Sequence, residues 1–372
     1  MLRTPFYDFH VQHGARLVDF AGWEMPIMYR SIISEHQQVR TTGGLFDVSH
    51  MGRFKITGRD TRRLIERIAT RRVSDMKDFT CRYSLVCNEQ GGILDDILIY
   101  RFEDDWMLVV NASNREKILA HLQAVAAAEA PKVKIVDQTL TTGMLAIQGP
   151  RVIDQIARFS SEVPTLKRYS FCVKNLMIVK FTISRTGYTG EDGVEVIMPA
   201  KMPDMVRRMI LNSGDEESQQ LMLPCGLGAR DSLRLEAGMP LYGHELDEQT
   251  DPLSAGLGFA VALDKGDDGS GMGPFIGQSA LKRIVAEGSR PKLVGLKLEG
   301  KRTARQGMAV KKGEVVVGKV TSGCLSPTLG YPIAMAYVDP ALAEVDTALA
   351  VELSSQQVEA KVVKMPFYKR GK

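Results

Sequence analysis

The sequence predicts an α+β fold made of more than one unit, on three observations. Between residues 52 and 138, strand-like runs alternate with two helical stretches. Beyond residue 291, short β runs punctuated by glycine and proline succeed one another. Residues 264–273 are polar, glycine-rich and without periodicity, the composition of a linker. A chain of 372 residues has mass for two or three domains with real cores.

The elements follow in order. Thr4-Pro5 places a cap residue before a proline at the first helical position, and Gly14 closes that short helix. A second helix runs from Ser31 to about Thr42 and stops at Gly43-Gly44. Residues 54–57 read as a strand, and Asp60 caps a helix to about residue 69. Strands follow at 83–88, 93–100 and 106–111, the first two joined by a turn at Glu89-Gln90-Gly91-Gly92. Ser113 and Glu116 fit a capping box for an alanine-rich helix that ends at Pro131, with a strand at 133–137 beyond it. Residues 145–148 form a strand broken by Gly149-Pro150, and strands 176–184 and 194–198 are joined by a glycine-rich turn. A further helix runs from near Gly228 to Gly238. The C-terminal runs at 293–298, 314–320, 333–338, 348–353 and 358–363 make a small barrel or sandwich.

Composition narrows the function. Apolar residues at 44% and charged residues at 25% are ordinary for a globular protein, and no apolar run is long enough to cross a membrane. The N-terminus has neither a signal-peptide core nor a transit-peptide bias, so a cytoplasmic location is expected. A net charge of +4, with no basic stripe, argues against nucleic acid and suits an acidic partner. Five cysteines at wide spacing, with no C-x-x-C, read as reduced thiols.

Several motifs fail. Gly313 to Lys319 resembles a P-loop, but Val320 stands where the magnesium-binding hydroxyl belongs and three valines fill the middle. Gly226-Leu-Gly228 starts like a dinucleotide fingerprint, but Asp231 occupies the third glycine position, where a carboxylate repels pyrophosphate. No histidines sit at metal-ligand spacing, and His10 with His13 reads as a solvated or capping pair. No metal is expected.

Four motifs remain. In Gly91-Gly-Ile-Leu-Asp95-Asp96-Ile-Leu-Ile-Tyr100, each face of a doubly apolar strand carries one carboxylate. Each is either satisfied by local donors or is a functional acid with a raised pKa. In Thr186-Gly-Tyr188-Thr-Gly-Glu-Asp-Gly-Val-Glu195, spacing alone favours a hairpin with Glu195 on an exposed face. Arg230 and Arg234, one helical turn apart, make either a solvated charged face or a partner for Glu195 or a ligand. Met51, at the end of Leu45-Phe-Asp-Val-Ser-His-Met51, is either core or pocket wall.

Together with Phe20-Ala-Gly-Trp23, Ala146-Ile-Gln-Gly-Pro150, Gly228-Ala-Arg-Asp-Ser-Leu-Arg-Leu-Glu-Ala-Gly238, Leu241-Tyr-Gly243, Thr321-Ser-Gly323, Ser326-Pro-Thr-Leu329 and Lys364-Met-Pro-Phe367, these strings resemble the glycine cleavage T-protein family. They fall in the family's order from about residue 4 to 367. The resemblance implies a three-domain cloverleaf: residues 1–51 with 139–262 as a folate-binding core, 52–138 as a ferredoxin-like α+β unit and 274–372 as a C-terminal barrel. It implies an aminomethyltransferase that moves a one-carbon unit from lipoylated H-protein to tetrahydrofolate, releasing ammonia, in functional association with the P- and L-proteins. By the same resemblance Asp96 is the catalytic carboxylate, and Glu195 and Arg230 hold the pterin. Tyr188, Met51, Asn111 and Tyr83 are further pocket walls, and Arg370 reaches the folate's glutamate tail. Two alternatives share the fold: a folate-dependent demethylase, and a folate-binding maintenance protein without transfer activity.

Overall fold

In a computed structural model the chain is described at all residues except 159, 177–178, 202–221, 268–271, 289, 355 and 372. Three sheets dominate. The first has five strands in the order Thr80–Cys87, Ile93–Arg101, Trp106–Val110, Gly52–Thr57 and Lys134–Asp137. Helices Thr61–Ile68 and Arg115–Glu129 supply Leu64, Ile65, Ile68, Ile118 and Leu122 to the core on one of its faces. The second has six strands: Phe171–Leu176, Val179–Ser184, Gly193–Pro199, Thr142–Gln148, Gly44–Asp47 and Leu223–Pro224. The third closes as a barrel through Lys292–Leu298, Pro332–Val338, Val315–Leu325, Ala309–Lys312, Ala348–Leu353 and Gln356–Val363. The α+β class and the C-terminal barrel are thus as the sequence predicts. No described helix is long and apolar enough to cross a membrane.

A shared apolar seam positions the site. Tyr100, Met107 and Val109 of the five-stranded sheet pack with Phe46, Met144, Ala146 and Ile197 of the six-stranded sheet. Ala229 and Leu233, from helix Leu227–Glu236, close the same cluster. On its other side that helix presents Leu235 to Ile333 and Met335 of the barrel. Burying large aliphatic and aromatic side chains at ~25 cal/mol per Å² makes such seams the main source of fixed geometry between layers.

Several local expectations are corrected. Asp60 precedes its helix, but its carboxylate accepts from the Lys132 amide instead of capping. The Ser113–Glu116 box does not form, because Ala112–Asn114 winds as a 3-10 turn and Asn114 takes the cap position. The strand expected at 176–184 is a hairpin of two strands around 177–178, which lie outside the described residues. The Arg16–Phe20 and Trp23–Met28 hairpin and the Ala309–Lys312 strand were too short and mixed for the period-2 pattern to show. The linker expected at 264–273 is anchored at its start: Lys265 is 2% exposed and donates to the carbonyls of Glu66, Ala69 and Arg71. Residues 268–271 of that expectation lie outside the described residues. His10 is buried between Asp47 and Tyr29 instead of being solvated, while His13 is exposed and bonds the Phe9 carbonyl.

Candidate active site

Asp95 and Asp96 sit mid-strand in Ile93–Arg101, and their surroundings differ. Asp95 is wholly buried and accepts three N–H bonds: from the Asn111 amide at 3.0 Å, Asn111 Nδ2 at 2.8 Å and Asn114 Nδ2 at 2.7 Å. Asp96, half-buried, accepts from Asn111 Nδ2 at 2.7 Å and from the Tyr83 hydroxyl at 3.2 Å. Asn111 therefore gives one amide hydrogen to each carboxylate and ties the pair together. Tyr83 pairs with Leu98 in the register, so its hydroxyl reaches Asp96 along the diagonal of one sheet face. Burial raises the pKa of both acids, and the neighbouring Asp96 charge adds to the rise at Asp95. The donors on Asp95 and Asp96 work against that rise. With its oxygens committed to three fixed amides, Asp95 is an anchor. Asp96 keeps lone pairs to spend on something else.

On the six-stranded sheet, Glu195 lies between Ser184 and Ala146 in the register and is 8% exposed. The hairpin with an exposed Glu195 face, which spacing alone favoured, is therefore corrected: strands lie on both sides and the seam covers it. A hydrogen-bond chain leads to it across the two sheets. The Tyr100 hydroxyl stands 3.0 Å from Ser184 Oγ, that oxygen 2.7 Å from Thr186 Oγ1, and Thr186 donates to Glu195 Oε2 at 2.6 Å. Since Thr186 donates to the carboxylate, Tyr100 donates to Ser184 and Ser184 to Thr186.

Arg230 stands in the first turns of helix Leu227–Glu236, its guanidinium carbon 5.0 Å from the centre of the Tyr188 ring. Its Nη1 is buried with no hydrogen-bond partner among the described residues. Burial lowers its pKa, and the fields of Glu195 and Tyr188 oppose that. Tyr188 donates its hydroxyl to the Pro240 carbonyl and feels Asp96 as well as Arg230. A Cβ at the preceding Gly187 would lie 1.8 Å from Gln148 Oε1, so any larger residue there displaces that buried amide. Arg234 corrects the solvated-face expectation, because it is 1% exposed and bonds Glu245, Asp231 and Ser322.

Asp96, Tyr83, Asn111, Tyr188, Arg230 and Glu195 therefore form one connected neighbourhood, linked by bonds or by mutual fields. Met51 packs half-buried on the apolar seam beside it. Arg370 is paired elsewhere, with Asp192: its guanidinium lies 3.0 Å from that carboxylate, which Arg185 also clamps at 2.6 Å. Two residues escaped the sequence reading. Phe259 is 67% exposed and stacks on Tyr83 at 6.2 Å, at the rim of the acid pair. Nothing in its local pattern separates it from an ordinary exposed apolar residue. His50 is the other and is taken up below. Among the described residues, no group of three His, Cys, Asp or Glu is placed to hold a metal ion.

Comparison with known proteins identifies the family. Residues 6–265 match the family model of the GCVT N-terminal domain, and residues 292–369 match the glycine cleavage T-protein C-terminal barrel domain. The aminomethyltransferase of Rubrobacter xylanophilus is 46% identical over 370 residues, covering 99% of this chain and 94% of the relative. That of Bacillus subtilis is 41% identical over 371 residues, covering 99% of each chain. The crystal structure of the glycine cleavage system aminomethyltransferase T from Bartonella henselae superposes with a TM-score of 0.89 at 30% identity, over 99% of this chain and 98% of that one. The chain belongs to the glycine cleavage T-protein family.

Proposed function

We propose that this chain, as a tetrahydrofolate-dependent aminomethyltransferase of that family, takes its one-carbon unit from an aminomethyl group on the lipoyl sulfur of H-protein. The products are ammonia, 5,10-methylenetetrahydrofolate and dihydrolipoyl H-protein. The observation that carries the reading is Asp96: a carboxylate set in a mostly apolar strand, held by Asn111 and Tyr83, with acceptor capacity left over. Tetrahydrofolate suits the residues present: the buried Glu195 is an acceptor for its donor-rich pterin edge, and Arg230 Nη1, unpartnered among the described residues, is a donor for its acceptor atoms.

In this reading Asp96 accepts a hydrogen bond from the reduced pterin and orients N5 towards the methylene carbon. It also stabilises the positive, iminium-like charge that develops as ammonia leaves. Tyr83 fixes the carboxylate, and Tyr188, Met51 and Asn111 wall the pocket. Arg370 serves the folate tail by exchanging its partner Asp192 for a ligand carboxylate. The division into a folate-binding unit of 1–51 with 139–262, a second unit of 52–138 and a third of 274–372 belongs to the same proposal, as does functional association with the P- and L-proteins.

The test is ammonia release by the purified chain from aminomethylated H-protein, with and without tetrahydrofolate. Release that requires both reactants is expected. Folate binding without ammonia from any lipoyl carrier would contradict the proposal and favour a binding protein. Formaldehyde-equivalent transfer from a methylated amine instead would favour a demethylase.

A further inference from the structure

The turn at 47–51 holds one side chain with nothing to bind. His50 is 3% exposed, its Nδ1 is fully enclosed, and neither ring nitrogen has a hydrogen-bond partner among the described residues. Enclosing a polar atom without a partner is costly, and folded proteins rarely do so without a reason.

The groups of its own turn are, by contrast, satisfied. Asp47 takes the Thr4 hydroxyl at 2.5 Å, His10 Nε2 at 2.9 Å and the Ser49 amide at 2.9 Å. Ser49 Oγ exchanges bonds with both main-chain groups of Met144. Buried Arg53 grips the backbone on each side of His50, through the carbonyls of Ser49 at 3.1 Å and Met51 at 2.5 Å. It also bonds the carbonyls of Thr139 and Thr142. The Phe20 ring meets the imidazole edge-on at 5.3 Å and 82°. The ring is thus fixed by its neighbours and left unsatisfied.

Electrostatics sets its form. Burial is the main cause that brings the His50 pKa down to about 3, helped by the charges of Arg230 and Arg53 and opposed by Asp47. The imidazole is neutral, with one donor and one acceptor nitrogen. Arg230, whose Nη1 is likewise buried and unpartnered among the described residues, lies within its field.

We propose that His50 is a substrate-contacting residue whose imidazole accepts an N–H hydrogen bond from a reactant bound beside Arg230. The inference rests on the one-carbon-transfer reading above. Two reactants carry N–H donors, the reduced pterin and the aminomethyl nitrogen. A neutral acceptor suits the second, which leaves as ammonia from its protonated form: a carboxylate would hold that ammonium as an ion pair, whereas an imidazole accepts one N–H bond without adding an opposing charge.

The experiment compares His50→Phe and His50→Gln with wild type. Three quantities are read: ammonia release against carrier concentration, tetrahydrofolate affinity by calorimetry, and urea unfolding. An ordinary core histidine predicts that Phe, which suits the apolar contact with Phe20, leaves both stability and turnover intact. A substrate contact predicts that His50→Phe is at least as stable as wild type yet loses about tenfold or more in kcat/KM, the worth of one hydrogen bond. His50→Gln, which keeps an acceptor, recovers part of that loss and serves alone should the Phe variant fail to fold. Loss in the carrier kinetics with unchanged folate affinity identifies the aminomethyl nitrogen, and weakened folate binding identifies the pterin. Kinetics and affinity within twofold of wild type in both variants overturn the inference. A wild-type protein that neither binds folate nor releases ammonia overturns the reading of the site itself.

Discussion

At the scale of single residues, the division of labour between Asp95 and Asp96 is set by who donates to each. Asn111 serves both acids, and its amide hydrogens hold down pKa values that burial raises. The reaction as proposed uses Asp96 ionised, so activity is present above its folded pKa and is lost as pH falls through it. Because that pKa is raised, the acid limb of the kcat profile lies above the ordinary carboxylate range. Asn111→Ala removes the shared donor, raises both pKa values further and shifts the acid limb to higher pH, with lower activity at neutrality. A pH–rate profile of wild type and variant checks this, and an unmoved limb would show that the pair does not govern turnover. The placing of two carboxylates in an apolar strand was legible from alternation alone. Which one is free was not, because Asn111 and Asn114 come from the end of a different strand and the turn after it.

At the scale of elements, the strands and helices around the acid pair were readable wherever a short apolar run was bounded by turn residues, as at 93–100 and 106–111. Elements were missed where tertiary bonds decide. Lys265 shows why. In sequence it belongs to a polar, glycine-rich stretch, yet its Nζ lies 2.6 Å from Glu66 Oε2 and binds three carbonyls near the end of helix Thr61–Ile68. Removing one partner of such a buried pair leaves a charge uncompensated. Lys265→Met is therefore expected to destabilise the protein by about 3–5 kcal/mol. Urea unfolding of the two proteins measures it, and a change below about 1 kcal/mol would mean that the pair breaks even against an apolar side chain.

At the scale of the whole molecule, helix Leu227–Glu236 links the layers, carrying Arg230 towards the acid pair and Glu236 towards the barrel. Glu236 accepts from His36 and Arg40 on helix Ile32–Thr41 and from Ser326 and Thr328 of the barrel. Burial alone would raise its pKa, but the bonds and charge of His36 with the two hydroxyls outweigh that and hold it near about 2, against an ordinary 4.5. A depressed carboxylate contributes stability that is present above its unfolded pKa and lost as pH falls through the folded one. Wild type should therefore lose roughly 3 kcal/mol from this group on acidification through that window. Glu236→Gln should be less stable at neutral pH and show a flatter acid limb in denaturation curves. Equal acid slopes would remove Glu236 as the coupling between layers. A C-terminal all-β unit was visible in the sequence through punctuated β runs, which left open whether it closes as a barrel. Its packing against the other layers was not visible, since Glu236 meets Ser326 and Thr328 some ninety positions away.

The account depends on Asp96 as the group that acts on the bound folate, and steady-state ammonia release by Asp96→Asn beside wild type tests it most directly. The substitution keeps the side chain's shape and removes its charge. The predicted result is a kcat lower by about 10²–10⁴-fold, with tetrahydrofolate affinity within a few-fold of wild type. Turnover by Asp96→Asn equal to that of wild type, with the same folate and carrier dependence, would contradict it.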